Sequence, residues 1–265
     1  MRILVLVPYP LPDAQMALRR AQVRPEAFGP GVTFEFRGAR AAPDHYVSDH
    51  DNLLADIGLF EAGMYADAEG FDAVCVDTVS DAAVGPLRSV LDIPVIGPGR
   101  AAILTALTLG RRFGILTMWS EWIPLYAKTI KELGVEAACA GIRAAGLKPD
   151  SKNLLSGKED TVVPRLIDAA RALVSEDRAE VLILGSTTMH QAHAAVAAAV
   201  PVPVVNPGPL AFKMAETAVA LGLTHSRAAH PRPRSDKRAM FKAMMDAAAV
   251  ADKIAETGPA AKDPS

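Results

Sequence analysis

Asp72-Ala73-Val74-Cys75-Val76-Asp77-Thr78 and Glu180-Val181-Leu182-Ile183-Leu184-Gly185-Ser186 are two apolar runs, and each breaks at a hydroxyl-bearing residue. A matching second segment follows each of them. After the first comes Ile93-Pro94-Val95-Ile96-Gly97-Pro98-Gly99, and after the second Val202-Pro203-Val204-Val205-Asn206-Pro207-Gly208. A short apolar run bounded by turn formers reads as a strand buried on both faces of a parallel sheet. Two copies of one such unit predict two similar halves that face each other, with Thr78 from one half and Ser186 from the other at a shared site.

Outward from these runs, strand and helix alternate. In the first half strands are expected at 1–7, 32–37, 72–76 and 93–96, with helices at about 13–26, 50–69 and 82–91. The pattern restarts at Arg112-Phe113-Gly114-Ile115-Leu116-Thr117. A helix over 120–133 follows, stopped by Gly134. Next come a strand near 135–140, a helix near 160–175, the strand 180–184, a helix near 188–199 and the strand 202–205. The repeat is about 105 residues long, a duplication rather than a short-period solenoid. Such alternation predicts an α/β fold: two pseudo-symmetric Rossmann-like domains with parallel sheets and an active-site cleft between them. The first domain is expected to comprise 1–98 plus about 209–227, its last helix packing back on it, and the second 99–208. Residues 228–265 are read as a linker through His230-Pro231-Arg232-Pro233-Arg234, an Ala/Met-rich helix over 235–256 and a disordered tail.

Composition narrows the function. Half of the residues are hydrophobic, only 5% are aromatic and the net charge is −2, which gives no electrostatic case for nucleic acid. No apolar run is long enough to span a membrane, and the apolar start reads as a first strand, not a signal peptide. Two cysteines, Cys75 and Cys139, suit a reduced cytoplasmic protein. The six histidines fall into no metal-ligand spacing, and no phosphate-loop or dinucleotide glycine fingerprint is present. No metal or cofactor is expected. The C-terminal helix suits either an oligomer contact or docking on its own chain, and a homo-oligomer is the expectation.

In open parallel sheets ligands bind beyond the carboxyl ends of the strands. The turns Asp77-Thr78-Val79-Ser80-Asp81 and Gly185-Ser186-Thr187-Thr188-Met189 lie there, each leading into a helix whose free N–H groups suit an anion. These turns, with Asp92-Ile93-Pro94-Val95-Ile96-Gly97, make residues 1–225 resemble the cofactor-independent aspartate/glutamate/hydantoin racemase superfamily, which includes maleate isomerases and arylmalonate decarboxylases. The resemblance implies a small carboxylate or cyclic-imide substrate held between two cysteines, one per half. One cysteine removes a proton next to the carboxylate and the other returns it. Here the two cysteine slots hold Thr78 and Ser186. An alcohol needs a neighbouring base to act, so a symmetric two-thiol racemisation is not expected.

Asp77 and His190 are the candidate acid/base groups, His190 standing four residues after Ser186. Ser80, Thr187, Thr188, Thr117, Ser120, Tyr9, Tyr46 and Asn206 are the candidate substrate-binding residues, and Trp119 and Trp122 a candidate apolar wall. The expected activity is isomerisation, or C–C or C–X cleavage, at the carbon next to a carboxylate or cyclic imide. The alternatives are a hydrolase using Ser186 with His190, and a catalytically silent protein that binds small acids.

Overall fold

A computed structural model describes residues 1–150, 155 and 157–257. The first half runs β1 (Arg2–Val7), α1 (Asp13–Arg20), β2 (Thr33–Gly38), α2 (Asp49–Gly63), β3 (Ala73–Val76), α3 (Val84–Val90), β4 (Val95–Ile96) and α4 (Pro98–Leu109). The second runs β5 (Phe113–Thr117), α5 (Ile123–Leu133), β6 (Cys139–Ala144), α6 (Glu159–Ser175), β7 (Val181–Leu184), α7 (His193–Ala199), β8 (Val204–Val205) and α8 (Pro207–Ala220). A last helix, α9 (Arg238–Thr257), follows. The strands form two four-stranded sheets, ordered β2-β1-β3-β4 and β6-β5-β7-β8, and every ladder is parallel.

The inner strands are apolar on both faces because helices cover both. Leu4, Leu6, Val74 and Val76 pack with Leu59 of α2 and Leu87 of α3. Ile3, Val5, Val7 and Cys75 pack on the other side with Phe212 and Ala215 of α8. In the second sheet Leu116, Leu182 and Leu184 meet Leu166 of α6 and Val196 of α7. Phe113, Ile115, Val181 and Ile183 meet Ala102, Ile103 and Ala106 of α4. The fourth helix of each half is thus exchanged: α4 follows the first sheet and covers the second, while α8 follows the second and covers the first. The two also pack against each other.

Several element boundaries differ from expectation. α1 stops at Arg20, six residues early, because Pro25 begins a separate 3₁₀ turn, Pro25–Ala27. β6 lies at 139–144 rather than 135–140, displaced by the 3₁₀ turn Glu136–Ala138. The segment expected to be one helix over 188–199 is a 3₁₀ helix, Thr187–Ala192, leading into α7. The segment after α8 is strapped across the end of α3: Arg227 donates to Arg88 O and, with Arg232, pairs with Asp92. α9 docks on α2, with the Phe60 and Phe241 rings edge-on at 4.8 Å and Arg238 donating to Met64 O. The tail expected over 258–265 lies outside the described residues.

Candidate active site

The strand ends of both sheets converge on one cavity of about 40 Å³. β3 delivers Asp77, Thr78 and Ser80 to it, and β7 delivers Gly185, Ser186, Thr187 and Thr188. The two turns repeat one device. Thr78 Oγ1 and Ser80 Oγ are 3.0 Å apart, and Ser186 Oγ and Thr188 Oγ1 are 2.8 Å apart. Each half therefore presents a hydrogen-bonded pair of hydroxyls, separated by one residue in sequence. Ser186 also caps the 3₁₀ helix, its Oγ accepting from Thr188 N at 3.2 Å. The first turn reverses through left-handed backbone at Asp81 (φ 55°) and Ala83 (φ 61°). This aims the Asp81 carboxylate at the start of α4, where it accepts from Gly99 N and Arg100 N, both at 2.7 Å. Burial nevertheless pushes the Asp81 carboxyl up to about 6.

Asp77 is 1% exposed. Its carboxylate accepts from Arg19 Nη1 at 3.2 Å and from Gln22 Nε2 at 3.0 Å, while its carbonyl accepts from Thr187 Oγ1 at 3.0 Å, across the cleft. Burial drives the Asp77 carboxyl above the usual carboxylate range, and the Arg19 charge opposes that shift. An uncompensated charge at this depth costs about 3–5 kcal/mol, so Arg19 and Asp77 hold each other in place and fix α1 against the cavity. Arg19 and Gln22 are absent from the sequence expectation. The available signal was the spacing of Met16 and Arg19, which puts a guanidinium on the buried face of α1.

Tyr9 and Tyr46 also line the cavity, their rings 5.3 Å apart, and Tyr46 donates to Pro8 O at 2.5 Å. Trp122, Leu125 and Tyr126 close the wall from the second half. Thr117 is buried behind Tyr126: its Oγ1 lies 2.9 Å from the Tyr126 hydroxyl, which donates to Gly185 O at 2.6 Å. Ser120 stands outside, exposed and donating to Glu121 Oε2 at 2.8 Å. Asn206 holds the residue position just before α8, makes no side-chain capping bond and is not on the cavity wall. Trp119 packs against His45 and Trp122, outside the wall itself. A second cavity, about 360 Å³, adjoins the first through Ser80 and Leu125, which line both.

The expected Ser186–His190 pair is not formed. The Ser186 hydroxyl is bonded to the Thr188 hydroxyl and backbone N–H, and the His190 ring lies against Leu18 and the Arg19 guanidinium, off the cavity wall. Burial, with Arg19 beside it, lowers His190 to about 4. The hydrolase reading loses its dyad. Neither cysteine stands in for the residues at 78 and 186. Cys75 is fully buried under α8, its Sγ 3.5 Å from Ala211 O and its thiol pushed up by burial, and Cys139 begins the edge strand β6. Among the described residues no cluster of three or more His, Cys, Asp or Glu could hold a metal ion, and no helix is long and apolar enough to cross a membrane.

Two parallel α/β lobes with matched turns across one cleft define a class of pseudo-symmetric, two-domain proteins. Residues 16–215 match Asp/Glu/Hydantoin racemase, and the chain belongs to that family of racemase-type isomerases. Hydantoin racemase of Rhizobium meliloti is 30% identical over 69% of this chain and 76% of its own length. Hydantoin racemase of Paenarthrobacter aurescens is 28% identical over 86% and 95%. Among solved structures, allantoin racemase from Pseudomonas fluorescens superposes with a TM-score of 0.80 at 26% identity, covering 89% of this chain and 99% of that one. Arylmalonate decarboxylase shares the fold more distantly, with a TM-score of 0.56 at 19% identity over 84% of this chain and 94% of that one.

Proposed function

We propose that this protein is an isomerase acting on a neutral five-membered cyclic ureide of the hydantoin type, moving a proton at the ring carbon next to a carbonyl, without a cofactor. The observation that carries the reading is the pair of hydroxyl turns, one per half, on a single cavity. Support for the substrate class comes from the hydantoin and allantoin racemases among its relatives. The charge on the wall agrees: Arg19 is committed to Asp77, so a substrate carboxylate would enter without a free counter-charge, whereas a neutral ring carbonyl needs only donors. A substituent on the ring would extend past Ser80 and Leu125 into the larger cavity.

Asp77 is the base in this proposal, because it is the carboxylate on the wall and its burial makes it more basic. The ring C–H bond breaks, the proton passes to the Asp77 carboxylate, the C–H electron pair forms a C=C bond to the carbonyl carbon and the C=O π pair moves onto oxygen. Within each pair one hydroxyl donates to its neighbour, which leaves one O–H of Thr78/Ser80 and one of Ser186/Thr188 to donate to the enolate oxygen that forms. The same carboxyl then returns a proton to carbon. With one base on one face, exchange of the ring hydrogen with solvent outruns inversion.

Proton NMR in deuterated water, on single enantiomers of 5-substituted hydantoins, tests this. Deuterium should enter faster than optical rotation is lost, and Asp77→Asn should slow exchange by about 10²–10⁴-fold. Installing Thr78→Cys with Ser186→Cys should bring inversion up toward the exchange rate. Binding with neither exchange nor cleavage would sink the enzyme reading. It would support instead a silent small-molecule binding protein, a reading that the commitment of Asp77 to Arg19 favours.

A further inference from the structure

Trp122 walls the inner cavity and is 7% exposed, yet its indole Nε1–H has no hydrogen-bond partner in the protein. The indole nitrogen is a donor only, and a buried donor left unmade costs about 1–3 kcal/mol. Tryptophans in folded proteins normally spend that donor on a neighbour. The surroundings of Trp122 offer none. It belongs to the apolar core that includes Val79, Ile115 and Ile183, with Trp119 edge-on at 6.2 Å and 71°. The Tyr126 hydroxyl on the same wall bonds Thr117 and Gly185 O. A ligand in the cavity that Trp122 lines can supply the acceptor.

We propose that Trp122 positions the substrate, its Nε1–H donating to a ring carbonyl oxygen of the ligand in the inner cavity. The inference rests on the reading of that cavity as the substrate site. It adds a donor on one side of a site whose hydroxyl turns are matched on both. Trp122 is the residue immediately before α5, and the residue immediately before α1 is Pro12, which carries no side-chain donor. A single donor on one side decides which way round a nearly symmetric ring sits, and therefore which hydrogen Asp77 meets. No counter-charge accompanies this donor, so it selects a neutral carbonyl oxygen over an anion.

Trp122→Phe keeps the apolar ring and removes only the donor. The unliganded variant should melt at the wild-type temperature or above it, since an orphaned polar group has been deleted. Its Kd for 5-methylhydantoin, by calorimetry, should rise roughly three- to tenfold. A probe that needs no variant is the thio-substituted hydantoin, whose sulfur is the weaker acceptor. The wild type should bind the matching thio isomer less tightly than the oxo ring, and Trp122→Phe should lose that preference. Equal Kd values for wild type and Trp122→Phe, or a marked drop in the variant's melting temperature without ligand, would overturn the assignment. If the wild type binds no hydantoin at all, the substrate reading of the cavity falls, and this inference falls with it.

Discussion

His190 sits one step beyond the strand-end hydroxyls, and its placement shows how much a local helix type decides. The expected contact with Ser186 assumed α-helical spacing, in which residues four apart share a face. The segment Thr187–Ala192 is a 3₁₀ helix with three residues per turn, so residue i+4 rotates about 120° away from residue i. That rotation carries His190 off the cavity to Arg19. A histidine lowered to about 4 is neutral in the folded protein at neutral pH, but in the unfolded chain it titrates near 6.5. Its folded-state pKa is depressed, so the unfolded state binds the extra proton and stability is lost as pH falls from about 6.5 toward 4. Urea unfolding across that range should give a shallower fall for His190→Gln than for wild type, and parallel slopes would contradict the assignment. Thr78, Ser80, Ser186 and Thr188 were legible because a hydroxyl ending an apolar run is a local signal. Arg19 was not, because its partner Asp77 is brought to it only by the packing of α1 on the sheet.

At the level of elements, the two exchanged helices begin alike, with Gly97-Pro98-Gly99 and Asn206-Pro207-Gly208. Proline suits the first turn, and the glycine after it lets the helix start come close to the strand-end turns. A Cβ at Gly99 would run into the Val79 carbonyl oxygen, a fixed backbone atom, whereas at Gly208 it would meet the Gln22 side-chain oxygen, which gives way by loosening the Gln22 bond to Asp77. Gly99→Ala should therefore lower unfolding stability by about 1–3 kcal/mol, and Gly208→Ala by less. Chemical denaturation of the two variants compares them, and an equal loss would refute the steric account. The order of strands and helices was readable from periodicity, since each inner strand is a continuous apolar run. Boundaries were less readable where 3₁₀ turns intervene, as before β6, because such turns leave no hydrophobic period of their own.

For the whole molecule, the exchange of α4 and α8 means that neither sheet has both faces covered by helices of its own half. The halves should unfold together. Both tryptophans, Trp119 and Trp122, lie in the second half, so their fluorescence follows that half while far-UV circular dichroism follows both. Coincident midpoints for the two signals are expected, and two separated transitions would show independent halves. The duplication was visible in the sequence from its paired strand ends. The return of 209–227 to the first sheet was also expected, because the repeat leaves the helix after each fourth strand to the other half. The exchange also bears on how such a chain can change over generations. A gene cut back to one copy at Gly97 would encode a sheet bare on the side that α8 covers. Once the helices had been traded, neither copy could be shed without stranding the other. The two halves were then free to diverge in the groups they show to the cavity, while remaining bound to a common fate.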